Sequence, residues 1–200
     1  MIRLIGKPTA WFCMASSLLQ LMTAGNFPAQ EVRLPAGLVK TEAGYLHRPS
    51  GLEFQTPKDW EVRPAELTKM YAALVLRHRL AEKETVEATL SFAPLEELTL
   101  DEARDQELKA LQAIYQQKNV EPPVEIRVPT QPPRPGYRIV LNEGPDFKGR
   151  QQGVVYLFTT SDEKKTWLVR LRATWNKPVG KQAFAETERL LPQFRLHPAE

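Results

Sequence analysis

The stretch "GLEFQTPKDWEV" (51–62) holds three features that decide how this chain folds. Leu52 and Phe54 alternate with polar residues, so both side chains lie on one face of a predicted strand. Pro57 has no N–H to donate, and it therefore ends the strand pairing or lies at a sheet edge. Trp60 follows three residues later, where a large aromatic side chain closes one end of a core. We therefore interpret Trp60 as a buried structural residue.

Alternating apolar and polar residues continue on both sides of this stretch. Tyr45 and Leu46 precede the turn composition "RPSG" (48–51), which predicts a β-hairpin with the strand that begins at Leu52. Further strands are predicted at 72–80, 86–92, 124–128, 137–141, 153–160 and 166–175. A helix over 66–80 is the alternative interpretation of the first of these segments.

Two helices are predicted from capping residues and from apolar spacing. Thr99 and Glu102 fit the capping box T-x-x-E, which satisfies two free N–H groups at the start of a helix over 100–118. Its apolar stripe consists of Ala103, Leu108, Leu111, Ile114 and Tyr115. Polar residues fill the rest of its surface, as expected of a helix that lies on a sheet. A closing helix is predicted over 180–191, and Pro192 ends it.

The N-terminal residues 1–25 have the order of a secretory signal peptide. Arg3 and Lys7 form a short positive region, the run 9–22 carries no charge, and small residues follow. We expect export and cleavage of this leader; if it is not cleaved, it anchors the protein in the membrane. Residues 26–42 show no sustained period and are predicted to be a flexible spacer, with an extended arm on the domain surface as the alternative.

Removal of the leader changes the interpretation of charge and of cysteine content. Without Arg3 and Lys7, the 27 basic residues become 25 against 24 acidic residues, a net charge of +1. This balance argues against nucleic acid as a partner. The only cysteine, Cys13, lies in the leader. The mature chain would have no thiol, which excludes disulfides, cysteine nucleophiles and thiolate zinc sites.

Two local patterns resemble the Mog1/PsbP-like domain family. The segment 51–60 is similar to the family pattern G-Φ-x-Φ-x-x-P-x-x-W, where Φ is apolar, and "FAETERLLPQFRL" (184–196) resembles its final helix with a phenylalanine just after it. The resemblance covers residues 43–197 as a single domain. It implies an α+β fold, an α/β/α sandwich with a mostly antiparallel β-sheet. Exported members include PsbP and the DcrB-like and LpqN-like proteins. No residue-level motif of a family function matches here, so the resemblance carries no site.

A search for catalytic and metal-binding motifs predicts no catalytic, cofactor or metal site. His47, His78 and His197 show no helical metal-ligand spacing. His78 shares a face with leucines and is predicted to be packed with one hydrogen bond. No serine stands in G-x-S-x-G, and the glycines at 144–153 do not match a phosphate loop.

Four arginines alternate with apolar residues on two predicted strands. Arg77 and Arg79 lie on one strand, and Arg170 and Arg172 lie on another. If these strands are neighbours, the four guanidinium groups line one sheet face and offer a site for an anion or an acidic partner. The alternative is a solvated face on which the arginines pair with nearby glutamates. Trp175 is interpreted as a core residue, with a groove edge as the alternative.

These observations favour an exported, non-catalytic binding or assembly-accessory protein that acts on a protein or cell-envelope partner. Catalysis is the less favoured class: one alternative is a hydrolase whose carboxylates the sequence does not locate. The other alternative is a small-ligand carrier with a pocket between the sheet and the helix 100–118. The proline-rich segment 122–135 contains the spacing P-x-x-P, which suits either a polyproline ligand or a crossover loop.

Overall fold

The computed structural model describes residues 34, 37–65, 73–82, 84–142, 151–161 and 165–197. The predicted leader, 1–25, and most of the predicted spacer, 26–42, lie outside these residues. The alternative helix over 66–80 lies partly outside them as well, and from Leu74 onward the chain is a strand. The predicted cleavage and export therefore remain expectations from the sequence.

The described residues form eleven strands and two α-helices. The strands are β1 (Leu38–Lys40), β2 (Gly44–His47), β3 (Leu52–Gln55), β4 (Glu61–Pro64), β5 (Leu74–Ala81), β6 (Glu84–Pro94), β7 (Val124–Val128), β8 (Arg134–Leu141), β9 (Gln151–Ser161), β10 (Thr166–Asn176) and β11 (Phe194–Leu196). The helices are α1 (Leu100–Tyr115) and α2 (Gly180–Glu188). Each strand and helix predicted within these residues is present, with boundaries that differ by a few residues.

The strands pair into two antiparallel sheets. The larger sheet has seven strands in the order β4-β5-β6-β10-β9-β8-β7, and the smaller has four in the order β1-β2-β3-β11. Alternation along β10 sorts its side chains between two faces, because successive residues of a strand point in opposite directions. Val169, Leu171 and Ala173 are fully buried on one face. Arg170 and Arg172 lie on the other.

The face of the large sheet that bears Val169, Leu171 and Ala173, which we call the α2 side, is covered by the small sheet and by α2. Leu52, Phe54 and Phe194 of the small sheet, each at most 1% exposed, belong to the same apolar cluster. Ala183 of α2 and Trp60 join this cluster. Trp60 is 6% exposed and stacks on His78, so the opening stretch builds the core as predicted.

The opposite face, which we call the α1 side, carries α1 over β8 and β9. Thr99 accepts a hydrogen bond from the Glu102 N–H while the Glu102 carboxylate accepts one from the Thr99 N–H, so the predicted capping box starts this helix. Leu111 and Tyr115 pack on the sheet. The prediction for Ile114 is wrong, because its side chain is 51% exposed. Its position lies at the margin of the stripe, beyond the edge of the contact with the sheet.

The small sheet contains two strands that the sequence did not predict. β1 lies within the segment 26–42 that was predicted to be a spacer; it pairs with β2, and its Leu38 is 5% exposed, so residues 38–40 belong to the folded domain. β11, near the C-terminal end of the domain, pairs with β3, near its N-terminal end. Three residues are too few to show an alternating pattern, so each element is defined by its pairing, β1 with the adjacent strand β2 and β11 with the distant strand β3.

The fold class is therefore confirmed as α+β with antiparallel sheets and helices on both sides. One layer holds α1, the next holds the seven-stranded sheet, and the third holds α2 together with the small sheet. The additional sheet in the third layer refines the predicted three-layer sandwich. Among the described residues, no element covers the α1 side of the large sheet over β4, β5 and β6, and two of the predicted arginines, Arg77 and Arg79, lie there.

Candidate functional site

All four predicted arginines lie on the α1 side of the seven-stranded sheet. Arg77 and Arg79 of β5 stand opposite Glu87 and Thr85 of β6. Arg170 and Arg172 of β10 stand opposite Ser91 and Thr89, which also belong to β6. These partners alternate along β6 with Val86, Ala88 and Leu90, which are buried on the α2 side. The register therefore brings the four guanidinium groups to one face.

The condition that the two strands are neighbours is not met. β6 lies between β5 and β10, so the two arginine pairs are two strand spacings apart, about 10 Å. The sequence could not show this order, because β10 is a distant segment that inserts between β6 and β9. The four residues share a face, but they form two separate pairs with different surroundings.

The pair on β10 attaches α1 to the sheet. The Arg170 Nη1 lies 2.6 Å from the Glu107 Oε2, and Arg170 also donates to the Ser91 hydroxyl. Arg172 donates to the Tyr115 hydroxyl, and its guanidinium lies over the Tyr115 ring. Glu107 and Tyr115 are both residues of α1. Arg170 is therefore paired with a glutamate, as in the alternative interpretation, whereas Arg172 is bonded to a tyrosine.

The pair on β5 lies on the part of the face that α1 does not cover. Arg77 forms a 2.5 Å ion pair with Glu87, and both side chains are 53% exposed. Arg79 is exposed and has no hydrogen bond or ion pair with any residue that the structure describes. On the neighbouring edge strand β4, Arg63 pairs with Glu61. We call the exposed surface formed by Glu61, Arg63, Arg77, Arg79 and Glu87 the open half.

The chemistry of the open half is that of a surface for carboxylates or phosphates. A guanidinium presents several N–H donors in a plane, which matches the two oxygens of a carboxylate. Arg79 offers all of its donors to a partner, whereas Arg77 offers those that Glu87 leaves free. Because both side chains rise from one strand of a paired sheet, their backbone positions are fixed before a partner binds.

The three histidines have separate structural surroundings. His78 is packed as predicted, with its ring on Trp60 and one hydrogen bond from Nδ1 to the Asp59 carbonyl oxygen. His47 is buried, stacks on Phe92 and lies 2.8 Å from the Ser50 hydroxyl. Burial lowers the pKa of His47 to about 4, so its ring is neutral near pH 7.

His197 pairs with Glu53 at the small sheet, 3.0 Å from its Oε2. The hydrogen bond from the Thr41 hydroxyl is the first cause that lowers the pKa of Glu53, and the contact with His197 is the second. Glu53 is only 7% exposed, and these partners compensate its burial. Among the described residues, no three His, Cys, Asp or Glu side chains come together as a possible metal-ligand set.

The layer between α1 and the sheet, where the carrier alternative places a pocket, is occupied by side chains. Leu111, Tyr115, Ile139, Val155 and Leu157 fill it, and each is at most 3% exposed. An open pocket lies instead at the start of α2, with Trp175 in its wall. Trp175 belongs to the core as predicted and also edges this pocket. In the sequence, the position of Trp175 just before "NKP" was the one indication that it edges a groove.

The proline-rich segment 122–135 is part of the sheet structure. β7 and the first residues of β8 lie within it, and Gln131 forms a bridge with Arg195 of β11. Of the two interpretations, a connection between elements of the domain fits this placement. The backbone of the segment is largely engaged with its own chain.

Comparisons with known proteins give a likeness of fold. No family model matches the chain, and no curated protein matches it. The crystal structure of LpqN, "involved in cell envelope biogenesis of Mycobacterium tuberculosis", is similar at 10% identity and a TM-score of 0.54, over 74% of this chain and 83% of that one. The solution structure of cyanobacterial PsbP (CyanoP) from Synechocystis sp. PCC 6803 matches at 13% identity and a TM-score of 0.49, over 86% and 99% of the two chains.

The likeness to LpqN confirms the predicted PsbP/LpqN-like fold and shows the fold alone. Within the described residues, no helix is long and apolar enough to cross a membrane.

Proposed function

We propose that this chain is an exported, non-catalytic accessory protein of the cell envelope that binds an acidic protein partner with the open half. The observation that carries the proposal is the position of Arg77 and Arg79. Both side chains are exposed on a strand in the interior of the sheet, and Arg79 has no partner among the described residues. By contrast, Arg170 on the same face of the sheet has a partner within the fold, Glu107.

The shape of the open half also supports a protein partner. The surface that α1 does not cover extends over β4, β5 and β6. Glu107 of α1 faces Arg170 of β10, and Ile114, seven residues later, lies on the same side of the helix. Ile114 is 51% exposed, one of three large apolar side chains exposed among the described residues. Basic side chains beside an apolar residue suit a partner surface that combines carboxylates with an apolar contact. Charge attraction would speed the encounter, and the apolar contact would slow dissociation.

The proposed location rests on the leader and on the fold. Residues 1–25 show the positive, apolar and small-residue order of a signal peptide. LpqN, whose fold is similar, is described as involved in cell envelope biogenesis. N-terminal sequencing of the protein from its native host should give a start near Asn26, and an intact Met1 in the cytoplasm would contradict export.

Affinity capture tests the proposed binding. The full chain is immobilised and incubated with the envelope fraction of its host, and bound proteins are eluted with increasing salt. We expect an acidic partner that elutes at moderate salt, because added salt shortens the Debye length from about 8 Å at physiological ionic strength to about 3 Å at 1 M and so weakens exposed ion pairs. A partner that stays bound at high salt and is released only by denaturant would contradict a charge-based surface.

A further inference from the structure

The start of α2 forms one side of an open pocket of about 800 Å³. The ends of β8, β9 and β10 form the other side, through Val140, Gln152 and Trp175 among others. This pocket is on the α2 side of the sheet, whereas the arginines are on the α1 side. It is therefore independent of the surface in the proposed function.

A buried hydrogen-bond donor, the Trp175 Nε1–H, belongs to the wall of this pocket. Trp175 is 4% exposed, and its Nε1 makes no hydrogen bond to any part of the chain that the structure describes. The Nε1 faces Gly180, the first residue of α2: a Cβ added to Gly180 would lie 3.5 Å from it. A buried N–H without an acceptor costs free energy, so native proteins rarely keep one without a reason. A ligand oxygen at this position would satisfy it.

The first turn of α2 supplies further donors and a positive potential. A 3-10 turn over Lys177–Val179 leads directly into α2. The N–H groups of the first helical turn that this 3-10 turn does not engage have no acceptor within the helix, and the aligned peptide dipoles make this end positive. Val179 at the N-cap position makes no side-chain hydrogen bond, and the first turn contains no acidic residue. Lys181 adds an ammonium group to the pocket wall. Among the described wall residues there is no carboxylate that competes for these donors.

The remainder of the wall is largely apolar. Phe184 stands edge-on to Trp175 with 6.2 Å between ring centroids, and the Arg138 guanidinium lies over the Phe184 ring, 5.6 Å from its centroid. Val140, Leu141 and Val179 add aliphatic surface. Ligand sites in proteins combine an apolar wall of this kind with a few convergent polar groups.

We propose that this pocket binds a small organic anion, in which one carboxylate or phosphate group is attached to an apolar body. The anionic oxygens accept hydrogen bonds from the Trp175 Nε1–H and from the N–H groups at the start of α2, and the apolar body packs on Phe184. Gly180 contributes by lacking a side chain, because a Cβ there would lie 3.5 Å from the Trp175 Nε1 and 2.4 Å from the Gln152 Oε1, in the space that the anionic oxygens need.

NMR of the full chain tests this assignment directly. The probes are octanoate, octyl phosphate, inorganic phosphate and the neutral octanol, each added to the ¹⁵N-labelled protein. Loss of one indole resonance in Trp175→Phe identifies the Trp175 Nε1–H signal. We expect octanoate, octyl phosphate or both to shift this signal, and the shift should saturate as the probe concentration rises. The probe that binds with the higher affinity shows whether the ligand is a carboxylate or a phosphate. Octanol and inorganic phosphate each lack one part of the proposed ligand and should bind at least about tenfold more weakly.

Two matched variants separate the donor from the aromatic surface. Trp175→Phe keeps an aromatic ring and removes the N–H, and it should lower the affinity for the anion by about tenfold or more. Trp167→Phe is the control, because the Trp167 Nε1 on the same strand is also without a partner among the described residues but does not line the pocket. That variant should bind as the unmodified chain does. Thermal melting of both variants confirms that they are folded.

Three results would overturn the proposal. The first is that neither octanoate nor octyl phosphate shifts the Trp175 signal in the millimolar range. The second is that octanol binds as tightly as the two anions. The third is that Trp175→Phe binds the two anions as tightly as the unmodified chain does. Lys181→Gln provides an additional measurement that does not alter the core: anion affinity should fall severalfold while octanol binding stays the same. An equal effect on both probes would contradict an anionic ligand.

Discussion

The two sides of the seven-stranded sheet are covered in different ways. On the α2 side, the small sheet and α2 bury the apolar residues of β5, β6, β9 and β10 in one cluster. On the α1 side, α1 covers β8 and β9 and is held to β10 by Arg170 and Arg172. The open half, over β4 to β6, keeps exposed charges. Burial therefore stabilises the α2 side, whereas the open half is free to serve a function that stability does not require.

The largest effect is expected on the α2 side. Trp60→Ala should lower the free energy of unfolding by about 3–5 kcal/mol, because Trp60 is buried in the main cluster. Urea denaturation measures the change, and Trp60→Phe, which retains a ring, is the control with a smaller loss. Unchanged melting together with lost partner binding would assign Trp60 to the binding surface and remove this contrast between the two sides.

The second effect is pH dependence that arises on the α2 side from His47, whose ring stacks on Phe92. The folded protein keeps this ring neutral down to about pH 4, whereas the unfolded chain binds the proton near pH 6.5. The unfolded state therefore binds more protons between these values, and stability falls as the pH is lowered through this window. The total loss is about 3 kcal/mol, and stability does not change further below the window or above it on account of this group.

Denaturation at several pH values measures this loss, with His47→Gln as the comparison. Carboxylates such as Glu53 titrate in both proteins, so the difference between them isolates His47. The unmodified chain should lose more stability than His47→Gln between pH 6.5 and pH 4. Parallel curves would show that the pKa of His47 is the same in the folded and unfolded states.

The third effect compares the two arginine pairs on the α1 side. A double-mutant cycle with Arg170→Met and Glu107→Gln should give a coupling energy of about 1 kcal/mol, because Glu107 is largely buried and the pair attaches α1. The matched cycle with Arg77→Met and Glu87→Gln should give about 0.3 kcal/mol, because both side chains are half exposed. Equal couplings would mean that both pairs serve the fold to the same extent.

The smallest effect on stability is expected from Arg79. Arg79→Gln should change the free energy of unfolding by no more than about 0.5 kcal/mol, since the side chain is exposed and has no partner among the described residues. Thermal melting measures this, with Arg63→Gln on the adjacent strand as a comparison. A large loss would show that Arg79 holds the fold, and the open half would then resemble the part of the sheet under α1.

The elements set by local pattern were predictable from the sequence. Alternation assigned Trp175 and Val169 to one face of β10, and the capping box placed the start of α1 at Thr99. Both signals lie within a few residues of the element that they define. The packed ring of His78 followed from the same alternation, because it shares its face with leucines.

The features that depend on distant segments were not predictable. No local signal shows that β10 inserts beside β6, and this separates the two arginine pairs that were expected to be neighbours. The short strand β11 exists only through its pairing with the distant strand β3. Ile114 fitted a helical stripe, but its burial depended on how far the sheet extends beneath α1. The pocket needed the end of β10 and the start of α2 to be placed together.

The central claim is that the exposed arginines of the open half bind an acidic protein partner. The most direct test measures the affinity of the captured partner for the unmodified chain and for Arg77→Gln/Arg79→Gln. Lys40→Gln/Lys58→Gln is the control, because it removes the same charge from exposed positions outside the open half. We predict binding weakened by about tenfold or more in the arginine variant and little changed in the control, with similar melting of both. Equal affinity of the two variants for the partner would contradict the claim.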